Sequence, residues 1–312
     1  MSILEHWAVT GGPGRTQEQL GDEIVFVRHR HTGLALMVAV PDHDGGPQIV
    51  TLQDPARDVV IVTRGSMFPM KVTLDGQAVE CGPHSSDRVT FIRAGTRMVL
   101  EYTRDCSMLC VLIVPAGRLA AMRAEGAPLP GSFGLRDDPA LGELAHAVGR
   151  LVLRQSEADN ALIEQATARL AAGFHDGAPD DHGQPDLRIA LPPHKLRRVL
   201  AHIDANLDRQ ITLRELAELA HLSPYHFARV FKHATGRAPY DHVRWRRITR
   251  STALVARSEL KIAEISASTG FASAAHFSNA FQRAAGIPPL QFRRVVRPRL
   301  LSGRSFGSRQ GH

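Results

Sequence analysis

Two stretches of this 312-residue sequence repeat one outline about fifty residues apart, and this repeat constrains the fold more than any other feature. In Ile211–Gly236, Thr212-Leu213-Arg214-Glu215 is a capping box ahead of an apolar face of Leu213, Leu216, Ala217 and Ala220. His221-Leu222 follows as a turn, Ser223-Pro224 starts a second helix with Phe227, Val230 and Phe231 inward, and Gly236 ends it. Lys261–Gly286 runs the same way through Ile262, Ile265, Gly270, the cap Ser273, Phe277 and Gly286. Small residues, Ala217 and Ser266, sit mid-way in each first helix where two helices would cross closely, and Leu222 and Phe271 plug the turns. A helix, a short turn and a second helix, twice over, is the pattern of a doubled helix-turn-helix.

Charge supports that reading. The chain carries a formal +7, but residues 1–193 hold 17 Lys+Arg against 24 Asp+Glu, whereas 194–300 hold 19 against 7. A basic C-terminal third on an acidic body is the electrostatic footprint of a domain that meets a polyanion. No run reaches the roughly 18 apolar residues of a membrane span. The first residues lack the pattern of a secretory signal, and the three cysteines make no CxxC or disulfide framework. The expected location is therefore the reducing cytoplasm.

The N-terminal half has a different period. Short apolar runs at Glu23–Val27, Leu34–Val40, Val59–Thr63, Met70–Leu74, Val89–Ile92, Met98–Tyr102 and Met108–Val114 predict strands over about 20–115. Turn signals separate them: Pro41–Pro47, Cys81-Gly82-Pro83, Ala94-Gly95 and, most specific, the hairpin pair Asp75-Gly76. Such spacing predicts a β-sandwich or small barrel. Asp138-Pro139 then opens a helix with Leu141, Leu144, Val148 and Leu151 on one face, and a second helix stops near Gly173. These two helices either cover the barrel or pair with a second subunit. Phe174–Pro193, with four Asp and four Pro, reads as a linker. A helix from about His194 to Asn206 and a long one from Tyr240 to about Ala256 complete the C-terminal part.

The C-terminal residues resemble a known family. Ile265-Ser-Ala-Ser-Thr-Gly-Phe-Ala-Ser-Ala-Ala-His-Phe-Ser-Asn-Ala-Phe281, followed by Gly286-Ile-Pro-Pro-Leu-Gln-Phe-Arg293, is similar to the signature of the AraC family of bacterial transcription regulators. Ser251 and Ser266 stand where that family usually has alanine, and Asn279 where it often has arginine. Gly82–Thr96 resembles, more loosely, the cupin-like sensor domain of many members. The resemblance implies two domains: an all-β cupin-like barrel with following helices over 1–175, and an all-α double helix-turn-helix over 194–298, joined by a linker at 176–193. It implies a DNA-binding regulator, not an enzyme, without a cofactor. Its partners would be double-stranded DNA, a small-molecule effector, RNA polymerase and a second copy of the chain.

On the first recognition helix the resemblance places Tyr225, His226, Ala228, Arg229 and Lys232 toward DNA, and on the second Ala274, Ala275, His276, Ser278 and Asn279. The connecting helix would set the two about one DNA turn (~34 Å) apart. Arg229 suits guanine O6 and N7, and Asn279 adenine N6 and N7. Arg246, with Arg244, Arg247 and Arg250, is expected at phosphates or in ion pairs of the fold. Trp245 reads as core.

Other signals are discounted. The H-x-H of His29 and His31 lacks further ligands at metal spacing, and His43 and His84 have no visible partner. Cys106 and Cys110 on one strand would lie about 13 Å apart, too far for a disulfide. Arg64, Arg93 or His31 at the barrel mouth would orient an acidic effector. The alternatives are a cupin-type enzyme fused to a DNA-binding module, and a ligand-independent regulator.

Overall fold

The computed structural model describes residues 7–11, 24–39, 47–66, 70–82, 84–103, 109–123, 127–175 and 191–303. Within these, the N-terminal half is built of strands β1 (Trp7–Gly11), β2 (Ile24–Arg28), β3 (Ala35–Ala39), β4 (Pro47–Leu52), β5 (Arg57–Ser66), β6 (Met70–Leu74), β7 (Gln77–Cys81), β8 (His84–Ile92), β9 (Met98–Thr103), β10 (Leu109–Pro115) and β11 (Phe133–Asp137). They pair antiparallel in two sheets, ordered β1-β4-β9-β6-β7 and β11-β8-β5-β10-β3-β2. The seven predicted strands are all present: β5, β8 and β9 run longer than expected, β6 matches, β2 and β10 are shifted by one residue, and β3 is shorter. Cys106 and His43 lie outside the described residues, as does most of the linker.

Alternation decides which side chain meets which layer. In β5, Val59 and Ile61 face the space between the sheets with Met70, Met98 and Leu100, while Val60 and Val62 face the helices. Strands buried on both faces read as unbroken apolar runs, as at Cys110–Val114. At the β6–β7 hairpin Leu74 faces Gln77, and Asp75 and Gly76 both take positive φ, 45° and 86°, as a type I′ turn requires.

The chain continues through α1 (Arg118–Ala121), α2 (Pro139–Arg154), a 3₁₀ turn (Glu157–Asp159) and α3 (Asn160–Gly173). Asp138 Oδ1 caps α2 by accepting from the Leu141 N–H at 2.9 Å. α2 lies on the six-stranded sheet, against β8, β10, β5 and β3. Small residues let it approach closely: a Cβ on Gly142 would stand 2.6 Å from Asp87 Cβ, and one on Gly149 3.2 Å from Cys110 Sγ. Leu141 and Val148 are buried in that core, and Leu144 and Leu151 pack partly buried against it. Of the two roles expected for this face, the one inside the chain is occupied.

The C-terminal part is helical: α4 (Pro193–Ala205), α5 (Leu213–Ala220), α6 (Pro224–Thr235), α7 (Pro239–Arg257), α8 (Ile262–Ser268), α9 (Ala274–Ala285) and α10 (Pro289–Gly303). Among the described residues its first unit has a core of its own, drawn from residues 191–243 and centred on Phe227, Phe231 and Ile203. Burying each phenylalanine contributes roughly 1.5–3 kcal/mol. The second unit buries Phe277, Phe281 and Phe292. No helix of the described residues is long and apolar enough to cross a membrane.

Candidate DNA interface

Each helix-turn-helix is assembled by the same local devices. Thr212 Oγ1 accepts from Glu215 N while Glu215 Oε2 accepts from Thr212 N, the reciprocal capping box. In the turns, His221 N donates to Glu218 O and Leu222 N to Ala217 O. Likewise Gly270 N donates to Ala267 O and Phe271 N to Ser266 O. These paired bonds satisfy the last carbonyls of α5 and α8 and aim the chain at the next helix. Ser223 Oγ and Ser273 Oγ then accept from His226 N and His276 N, at 3.4 and 3.1 Å, starting α6 and α9. The second turn, residues 269–273, is two residues longer than the first, residues 221–223.

On α6, Phe227, Val230 and Phe231 are buried, and Tyr225 (82% exposed), His226, Arg229 and Lys232 stand in solvent. On α9, Phe277 and Phe281 are buried, and Ala275, His276 and Asn279 are exposed. Ala228, Ala274 and Ser278, expected outward, are half-buried at the margins of these faces. The His276 ring meets Phe271 edge-on, with centroids 5.6 Å apart. α6 therefore exposes a strip of basic and aromatic side chains, and α9 one of small and polar side chains. Such strips suit the hydrogen-bonding edges and methyl groups of a major groove.

The arginines of α7 divide by role. Arg246 Nε donates to Asp204 Oδ1 at 2.6 Å and its guanidinium lies 5.5 Å from the Trp245 ring. Arg247 donates to the Leu207 and Arg209 carbonyls, fastening α7 to the turn after α4. Arg244 pairs with Asp241, and Arg250 is exposed. Trp245, expected in the core, is half-buried, packed against His242 and under Arg237.

Two titratable groups of the first unit are strongly perturbed. Hydrogen bonds from Arg209 hold the Glu215 carboxyl down to about 2, with His202 and the Thr212 N–H adding to the effect. Glu215 thus ties α4, the following turn and the start of α5 together, a role that its capping spacing alone does not reveal. Burial pushes the His242 imidazole down to about 3, helped by the cations Arg246 and Arg237, so it is neutral in the fold.

In the N-terminal half, His29 is buried with Nδ1 3.1 Å from Thr32 Oγ1, and burial lowers its affinity for a proton. His31 Nε2 lies 3.1 Å from Glu157 Oε1. Arg93 is exposed, and the Arg64 side chain lies outside the described residues. Among the described residues no three His, Cys, Asp or Glu side chains converge as metal ligands.

The model of the helix-turn-helix domain family matches residues 216–295. The chain is 34% identical over 125 residues to the HTH-type transcriptional regulator GlxA of Rhizobium meliloti, covering 40% of this chain and 39% of that one. It is 29% identical over 106 residues to the regulatory protein PocR of Salmonella typhimurium, covering 33% and 35%. The chain thus spans well under half the length of these curated relatives. Among solved structures, the C-terminal domain of AraT, a response regulator from Geobacillus stearothermophilus, is 30% identical, with 33% of this chain and 86% of that chain covered and a TM-score of 0.32. With both turns, both caps and the matched residues in place, residues 216–295 of the chain form a helix-turn-helix domain similar to that of the regulator GlxA.

Proposed function

We propose that the chain is a sequence-specific DNA-binding transcription regulator of the AraC type. One observation carries this reading: both recognition helices leave corresponding faces uncovered, in a segment with 19 basic against 7 acidic residues. Arg229 and Asn279 are the base-reading side chains of the two faces, with Tyr225, His226, Ala228, Ala274, Ala275, His276 and Ser278 beside them. Lys232 serves the phosphates, and Arg246, paired with Asp204, supports the fold of the reading unit. A bidentate arginine on guanine discriminates by about 1–3 kcal/mol, whereas phosphate contacts give affinity without sequence. The N-terminal double sheet takes a small organic effector, and the regulator works as a dimer in contact with RNA polymerase. Similarity to GlxA, an HTH-type transcriptional regulator, supports the reading.

The test is selection of duplexes from a random pool by the full chain, followed by affinity measured over a salt series. A two-part motif should emerge, and log affinity should fall linearly with log salt. Absence of any enriched motif would overturn the reading. Thermal shift against a panel of small organic acids tests the effector, and a flat response across chemical classes would favour a ligand-independent regulator.

A further inference from the structure

Among the described residues, the N-terminal half packs on the helix-turn-helix part through the core of the second unit. α10 lies along β2 and α2. Its Gln291 Nε2 donates to the carbonyl of Arg154, the last residue of α2, at 3.2 Å. That carbonyl is one of the end groups a helix cannot satisfy by itself. Gly286, the left-handed end of α9, is pressed against Arg150 of α2: a Cβ there would stand 2.2 Å from Arg150 Cγ and 2.7 Å from its Cβ. Apolar packing is continuous across this joint, with Val25, Val27 and Leu153 in one cluster with Phe292, Val295 and Val296. Among the described residues, the core of the first unit takes no part in that cluster and stays within 191–243.

We propose that this joint is a regulatory coupling by which the N-terminal domain positions the second reading helix and not the first. The proposal rests on the DNA-binding reading above and names its route of control. With the joint closed, Ala275, His276 and Asn279 are still exposed, so the docked state can bind DNA. α7 runs through both cores, with Val243 in the first and Ile248, Ala253, Val255 and Ala256 in the second. A strain arriving at α2 or β2 therefore reaches α10 and α9 directly, and the first unit only along α7. Packed cores pass such strain on as discrete shifts, since they do not deform continuously. The coupling changes the spacing of the two readers, hence the affinity for a two-part site, and leaves the preference of the first half alone.

The experiment uses the full chain and two duplexes: the selected two-part site, and the same site with the half read by α9 scrambled. Gly286→Ala forces the joint apart. It should lower affinity for the intact site by about tenfold, within the usual range for coupled sites, and leave the scrambled site unchanged. Adding Arg150→Gly removes the side chain that the new methyl meets and should restore most of the loss, although the left-handed backbone at Gly286 is still strained. Gln291→Ala, which removes one bond of the joint and adds no strain, should weaken the intact site by a smaller factor and faster amide exchange should appear in α10. Equal losses on both duplexes, no loss from either variant, or a loss that Arg150→Gly leaves in place would overturn the coupling. Wild-type chain that fails to distinguish either duplex from random DNA would instead overturn the DNA-binding reading itself.

Discussion

His221 and Gly270 hold the same left-handed position in the two turns, at φ 55° and 74°, and Gly270 also lies against another backbone. A Cβ on Gly270 would stand 2.1 Å from the Leu207 carbonyl oxygen and 2.8 Å from an Arg247 guanidinium nitrogen. His221 is exposed and carries the strain of a non-glycine residue at positive φ. The two positions should therefore respond in opposite directions. His221→Gly should stabilise the chain by roughly 0.5–1 kcal/mol, relief of strain outweighing the added freedom of the unfolded chain. Gly270→Ala should destabilise it by roughly 2–5 kcal/mol, from both strain and collision. Denaturant titration measures both, and a neutral Gly270→Ala would refute the close approach.

Acid should loosen the first unit before it loosens its capping network. His242 binds a proton near 6.5 when unfolded and only near 3 when folded. Its contribution is intact above the unfolded value and falls away as pH drops through the interval down to 3. Glu215 is also depressed, but its contribution begins to fall only below about 4.5 and is lost toward 2. Between pH 6.5 and 4.5 the slope assigned to this unit thus belongs to His242, at most about 1.4 kcal/mol per pH unit for one proton. His242→Phe, which keeps the ring against Phe231 and Trp245, should remove that slope from the stability curve. An unchanged slope would show that the imidazole is not the titrating group.

Arg229 and Arg246 should separate base reading from support. Arg229→Ala alters an exposed side chain, so the melting temperature should hold while preference at one base position relaxes, costing about 1–3 kcal/mol there. Arg246→Ala breaks the pair with Asp204, so melting temperature should fall and all duplexes should weaken by one common factor. Binding of both variants to single-base variants of the site decides the matter. An intact base preference in Arg229→Ala would remove Arg229 from the reading face.

The doubled unit was legible because caps, plugs and inward aromatics obey local rules: Thr212 with Glu215, Ser223, Ser273, Phe227 and Phe277 are each placed by spacing alone. His221 was not legible as a left-handed residue, since nothing in its identity demands that conformation. Among strands, β4 escaped because Pro47 reads as a turn, whereas it opens a strand paired to β1 and β9, a position where its missing N–H is tolerated. β7 is a largely exposed edge with no apolar alternation, and the hairpin alone creates it. β11 carries a register shift between Phe133 and Arg136 and a positive φ at Leu135, so its pattern is broken. The joint between α10 and α2 left no trace in the sequence. Val295 and Val296 show an apolar face but not what lies on it.

That distinction between an apolar face and its occupant governs the last prediction, on α2. Leu144 and Leu151 are half-buried, and they flank the fully packed Leu141 and Val148 over the six-stranded sheet. Carboxylates at both positions would be drawn into that apolar margin without partners, which is costly inside a fold and nearly free on a solvated surface. Leu144→Glu together with Leu151→Glu should therefore lower the stability of the N-terminal half by several kcal/mol, as for other unpaired buried charges. Circular dichroism should show loss of β signal at a lower denaturant concentration, and sedimentation should report aggregation or unfolding. A well-folded monomer from a dimeric parent would mean that the pair faces a second subunit. A folded species of unchanged mass and stability would refute the packing of both leucines.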